Sequence, residues 1–157
     1  MPDQLTIDVQ VESDAWRTLW PRSAVDIRQL LNALAKRPGL IASGDVAVVL
    51  SNNARLKALN GQFRGKNQPT NVLSFPDKAL PLGGIALAHE TLVREAKEQH
   101  KPFLNHAKHM ILHGYLHLLG HDHHKARDAR LIEWLEIAIL SDMGIPNPYL
   151  IEAKRRV

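Results

Sequence analysis

The chain has 157 residues, 45% of them apolar and 23% charged, which fits one ordinary globular domain with a core of its own and calls for no second domain. It contains no cysteine, so disulfides and thiolate metal sites are excluded and any transition metal must be held by histidine or carboxylate. A formal charge of +4 mildly favours acidic partners such as RNA. Met1 to Gln10 carry no basic start followed by an apolar block, and no later run approaches membrane-spanning length, so a soluble cytoplasmic protein without membrane contact is expected.

In chain order, Leu5, Ile7, Val9 and Val11 alternate with Thr6, Asp8, Gln10 and Glu12, the period of a strand with one buried face. Ser23 with Asp26 reads as a capping box before the stripe Ile27, Leu30, Leu31 and Leu34, and Pro38-Gly39 closes a helix over residues 23 to 37. Val46 to Leu50 form a short apolar run between turn residues, as in a strand covered on both faces. A second helix carries Leu56, Leu59 and Phe63. Asn71 to Phe75, stopped by Pro76, and Gly84 to Ala88 read as strands on either side of the turn-rich stretch Pro76 to Gly83. From Glu90 the pattern is helical: a helix near 90 to 100, a break at Lys101-Pro102, a helix rich in histidine, and a last helix near 126 to 142 closed by Gly144 and Pro146. The sum is a single α+β domain over residues 1 to 157, with a mixed sheet of about four strands against about five helices. The basic tail Lys154-Arg155-Arg156 reads as a solvated terminus.

All nine histidines lie between His89 and His124. On one helix, His109, His113 and His117 follow at i, i+4 spacing, but the outer two stand about 12 Å apart along the axis at ~1.5 Å rise per residue and cannot share an ion. Of the two adjacent pairs, only His113 and His117 are followed by a glycine, Gly120, able to end the helix in the left-handed conformation and return His123 toward the same point. His113, His117 and His123 are therefore the expected metal ligands, at a helix C-terminus and the loop after it. Three ligands leave one position of a tetrahedral zinc open, as in a catalytic site. Zinc is favoured over copper or nickel by availability and by three imidazoles with an open place, since affinity alone would favour copper. His89, His100, His106, His121 and His124 read as ordinary surface or core residues, and His109 as a packing residue or one that orients a ligand ring.

The spacing H-x-x-x-H-x-x-G-x-x-H also belongs to metzincin peptidases, which place a glutamate after the first histidine as general base. Here that position is Gly114, so amide hydrolysis lacks its proton acceptor. A second block, Arg64-Gly65-Lys66-Asn67-Gln68-Pro69-Thr70-Asn71-Val72-Leu73-Ser74-Phe75, sets two cations in a glycine- and amide-rich loop before a strand. It reads as a solvated basic loop or as a phosphate clamp, with Arg64 gripping through its planar fork and Lys66 as a point charge. Arg64, Lys66 and Asn71 are its candidate substrate-binding residues.

With H-G-Y-L-H-L-L-G-H-D-H at 113 to 123 and R-G-K-N-Q-P-T-N-V-L-S-F at 64 to 75, the chain resembles the YbeY family of metallo-endoribonucleases. The resemblance implies an α+β fold, one zinc ion on His113, His117 and His123, and cleavage of single-stranded RNA in ribosomal RNA maturation, at the small-subunit 3′ end, and in ribosome quality control. It also implies catalytic weight on Arg64 and His113. The partners implied are ribosomal RNA and, for recruitment, ribosomal proteins or a ribosome-associated GTPase. Two positions depart from the family pattern. His121 stands where a tyrosine is usual, which places an extra possible ligand near the ion, and Gly84 where an aspartate is usual, which removes a carboxylate. In the expected mechanism the metal activates water or polarises a phosphoryl oxygen while Arg64 stabilises the developing charge. The attacking group is then water or the RNA's own 2′-hydroxyl, and Asp122 caps a helix or orients a ligand ring. Two other readings compete: an RNA- or ribosome-binding module that zinc merely stabilises, and a zinc peptidase.

Overall fold

The computed structural model describes residues 5–37, 44–64, 71–77, 80–119 and 126–149. Val46 to Leu50 are all buried, because β2 (Gly44–Ser51) is an interior strand with helices on both faces. On one side it pairs in parallel with β1 (Leu5–Val11), which alternates buried and exposed residues as an edge strand should. On the other side it pairs in parallel with β4 (Leu80–Ala88), and β3 (Val72–Asp77) runs antiparallel along the far edge of β4. The order is β1-β2-β4-β3, a mixed four-stranded sheet.

Strand alternation divides the core in two. Val46, Val48, Leu50, Ile85 and Leu87 point to one face, where they meet α2 (Ser23–Ala35), α4 (His89–Glu98), α5 (Phe103–Leu118) and α6 (Ala126–Asp142). Val49, Leu73, Phe75, Ala86 and Ala88 point to the other, against Leu56 and Leu59 of α3 (Asn53–Arg64). Helix α5 is the central helix of the larger layer, and Ala107, Ile111, Leu112, Tyr115 and Leu116 are fully buried. None of the described helices is long and apolar enough to cross a membrane.

The α+β architecture is as expected, with four corrections of detail. There are six described helices, the extra one being the short α1 (Ala15–Leu19), which is held by the buried rings of Trp16 and Trp20. Ser23 and Asp26 make no capping box: Arg22 occupies the N-cap with no side-chain bond, and Asp26 instead accepts the indole N–H of Trp20 at 2.8 Å. A buried indole N–H needs an acceptor, and here that need prevails over the cap. Pro76 does not stop β3, which runs to Asp77 with a register slip between Phe75 and Asp77, a disruption that an edge strand tolerates. Nor is Pro76 to Gly83 a turn throughout, since β4 already begins at Leu80. Within β4, a Cβ on Gly84 would lie 2.3 Å from Phe75 Cζ, because that ring covers the glycine from the neighbouring strand.

The end of α6 steers the chain back toward the site. Gly144 takes φ +77°, its N–H bonds Ser141 O at 3.0 Å, and Ile145 N–H bonds Leu140 O at 2.9 Å. This is a Schellman stop, with Ile145 buried near Leu140 as the accompanying apolar contact. Among the described residues, nothing apart from its chain neighbours stands within 4 Å of a Cβ placed on Gly144, so Gly144→Ala tests backbone conformation. Denaturant unfolding should show a loss of about 1 kcal/mol, and Gly144→Asn a smaller one.

Candidate metal centre and groove

On α5, His106, Met110, His113 and His117 recur at helical spacing along one stripe, with His109 beside it. Together with Asn71, Val72 and Ser74 at the β3 edge, Glu95 and Gln99 near the end of α4, Lys101, and Pro148-Tyr149 after α6, they line a cavity of about 430 Å³. It is a groove along the helix, not a closed hole. Its volume falls within the usual span of ligand sites, roughly 300–1,000 Å³.

At one end the Nε2 atoms of His113 and His117 face each other at 3.0 Å, with ring centroids 4.5 Å apart. The other nitrogen of His113, Nδ1, donates to Glu136 Oε1 at 2.6 Å. That bond fixes the tautomer, because an ionised carboxylate can only accept. With its proton on Nδ1, the His113 ring turns Nε2 toward His117. Two imidazole nitrogens converging in this way, one held by a carboxylate behind it, could supply two of the ligands of a borderline metal such as zinc. For zinc–nitrogen bonds of ~2.0–2.1 Å the tetrahedral edge is roughly 3.3 Å, so the pair fits with a small outward movement. Among the described residues no three histidine or acidic side chains gather as a complete metal cage. His123, the expected third ligand, lies outside those residues, as do Gly120, His121 and Asp122.

Glu136 is wholly buried. Besides His113 it accepts from His109 Nε2 at 2.7 Å, and the Tyr149 hydroxyl also donates to it. Burial opposes its charge, but the bonds from His109, His113 and Tyr149 outweigh that cost and hold its pKa at about 2. Burial likewise lowers the pKa of His109, with Glu136 pulling the other way, and the ring donates through Nε2. Sequence reasoning missed Glu136 and Tyr149. A signal was present for Glu136, an acid between Ile132 and Ile139 on the buried face of α6.

A second polar centre lies at the other end of the groove. Glu95 Oε1 is bonded by His106 Nε2 at 2.9 Å, and Asn71 Nδ2 reaches Oε1 at 3.1 Å and Oε2 at 3.2 Å. Burial works against the charge of Glu95, but those bonds leave its pKa below the ordinary carboxylate value. His106, expected to be an ordinary residue, is thus a buried partner of Glu95. Asn71 does line the groove, yet its amide is bound to Glu95 and its carbonyl to Val72 N–H at 2.7 Å. Arg64 is the last residue of α3; its side chain and all of Lys66 lie outside the described residues.

Gly114 proves to be more than a missing glutamate. A Cβ there would stand 2.9 Å from Ile85 Cγ2 and 3.1 Å from Ser74 Oγ, whose hydroxyl donates to Gly114 O at 2.8 Å. Position 114 faces the sheet, and any side chain would force it away from α5. Gly114→Ala should therefore cost about 1–3 kcal/mol by overpacking, read from denaturant midpoints. The lowered pKa of Glu136 also has a measurable sign. Its contribution is present above pH 4.5, its unperturbed value, and is lost as pH falls toward about 2. In metal-free protein, the stability gap between wild type and Glu136→Gln should be widest near neutrality and should close over that acid range.

The family model described as Endoribonuclease YbeY matches residues 10–144. The endoribonuclease YbeY of Bradyrhizobium diazoefficiens is 40% identical over 94% of this chain and 87% of its own length. That of Magnetococcus marinus is 47% identical over 70% of this chain and 86% of its own. A Thermotoga maritima protein solved in solution shares the fold, with TM-score 0.59 and 23% identity over 88% of this chain and 92% of its own. With a match across most of its length and this shared architecture, the chain belongs to the YbeY endoribonuclease family.

Proposed function

We propose that the protein is a zinc-dependent endoribonuclease that cuts single-stranded RNA in the cytoplasm. Its substrate is ribosomal RNA, in maturation of the small-subunit 3′ end and in ribosome quality control. The observation that carries this reading is the facing pair of Nε2 atoms on His113 and His117, with His113 held from behind by Glu136. His113, His117 and His123 would hold the metal. A zinc ion held there would supply a Lewis acid for a phosphoryl oxygen or for a water molecule. Glu136 keeps the Nδ1 proton of His113 in place, so its Nε2 remains a donor of electron pairs. Arg64 clamps the non-bridging oxygens of the scissile phosphate and stabilises the charge that grows on them, and Lys66 holds a neighbouring phosphate. The attacking oxygen bonds to phosphorus as the bond to the leaving oxygen breaks. Peptide hydrolysis is disfavoured because the position of its usual glutamate is packed against the sheet. Ribosomal proteins or a ribosome-associated GTPase would bring the enzyme to its RNA.

Metal-quantified protein incubated with a single-stranded RNA should cut it, stop with chelator, and resume when zinc is restored. Arg64→Ala should stay folded and zinc-loaded while losing cleavage by at least about 100-fold. His113→Ala should lose both metal and cleavage. Intact protein that binds RNA without metal-dependent cutting would support the binding-module reading instead. Chelator-sensitive cutting of a denatured protein would return the peptidase.

A further inference from the structure

Glu95 is the one carboxylate among the described residues that line the groove shared with His113 and His117. Its side chain is 22% exposed, and its setting is built, not incidental. His106, which donates to it, is 3% exposed, and Asn71, the other donor, is pinned through its carbonyl to the backbone of β3. A carboxylate offers about four acceptor positions, and the contacts from Asn71 and His106 leave it able to accept more from the cavity. Because those contacts stabilise its charged form, it is a poor general base and a durable hydrogen-bond acceptor.

A fixed anion in a groove for a polyanion repels phosphate and attracts neutral donors. In an RNA strand those donors are base amino groups and ribose 2′-hydroxyls. Reading a base edge calls for donors and acceptors side by side. Here the neighbouring Asn71 amide is already bound to Glu95 and Val72, so the pair presents an acceptor alone. One acceptor suffices for a hydroxyl, and carboxylates bind ribose hydroxyls in this way in dinucleotide sites. His106 precedes His113 by seven residues, about 10 Å along the helix. That places Glu95 beyond the nucleotide at the metal and within reach of the adjoining one.

We infer that Glu95 reads the sugar: it accepts a hydrogen bond from the 2′-hydroxyl of a nucleotide adjoining the cleaved one, and so selects ribose over deoxyribose there. Asn71 and His106 are its positioning residues. The inference rests on the endoribonuclease reading and deepens it.

The test uses one RNA strand with a mapped cleavage position and a series carrying a single 2′-deoxy substitution at each nucleotide in turn. Zinc-loaded protein is assayed for kcat/KM and metal-free protein for Kd. In the wild type, one deoxy position other than the cleaved nucleotide should weaken both by about ten-fold or more. In Glu95→Gln the carbonyl is held by His106 and Asn71 and an amino group replaces the second oxygen, so the acceptor toward the cavity is lost and that penalty should fall below about two-fold, with metal content and Tm retained. A Gln variant that keeps the penalty overturns the assignment, as does a wild type with no such position. A changed base preference with an unaltered deoxy profile assigns Glu95 to a base and overturns it too. Should Glu95→Gln fail to fold, Glu95→Asp, which withdraws the acceptor by one methylene, is read the same way. If the wild type neither binds nor cuts the all-ribose strand, the endoribonuclease reading itself has failed, a result distinct from the others.

Discussion

A carboxylate with no solvent exposure ties three parts of the molecule to one point. Glu136 comes from α6, its imidazole donors His109 and His113 from α5, and its hydroxyl donor Tyr149 from the segment beyond α6. Burying an ionised carboxylate costs several kcal/mol unless hydrogen bonds surround it. The cost is offset only when α5, α6 and residues 148–149 stand in one register. The same requirement that makes the position expensive makes it specific, and its output is the orientation of His113. The Schellman stop at Gly144 serves this arrangement by turning the chain so that Tyr149 returns to α6.

The sheet supplies the other constraint. Helix α5 approaches β3 and β4 closely at Gly114, where Ser74 bonds the helix backbone and Ile85 occupies the space of a side chain. Close approach brings the strand edge carrying Asn71, Val72 and Ser74 against the histidine stripe, so the groove has one wall of sheet and one of helix. A peptidase of similar histidine spacing needs a glutamate where this fold needs nothing larger than hydrogen. The packing of the core leaves no room for that glutamate.

Periodicity revealed most of the architecture. The alternation from Leu5 to Val11, the apolar run Val46 to Leu50 and the stripe Ile27 to Leu34 all became the elements they suggested, and the last helix, expected near 126 to 142, is bounded at Ala126 and Asp142. What escaped was set by long-range partners. Asp26 looked like half of a cap until the indole of Trp20 claimed it, and α1 is too short to show a period. Pro76 looked like a strand end because sequence does not say which strand lies at an edge. In the site, His113 and His117 were legible because both lie on one helix and their spacing alone brings them together. Glu136 lies 23 residues from His113 and Glu95 11 residues from His106, in separate helices, so only tertiary packing could pair them.

In the proposed metal site, Glu136 fixes the ring of His113 so that its Nε2 faces His117 and would take the metal. Nitrogen NMR of the imidazoles, recorded near neutral pH before and after zinc is added, tests it directly. His113 should keep its proton on Nδ1 throughout, and the Nε2 resonances of His113 and His117 should shift together on zinc addition. A His113 protonated on Nε2 in the metal-free protein, or one whose Nε2 resonance is unmoved by zinc, would contradict it.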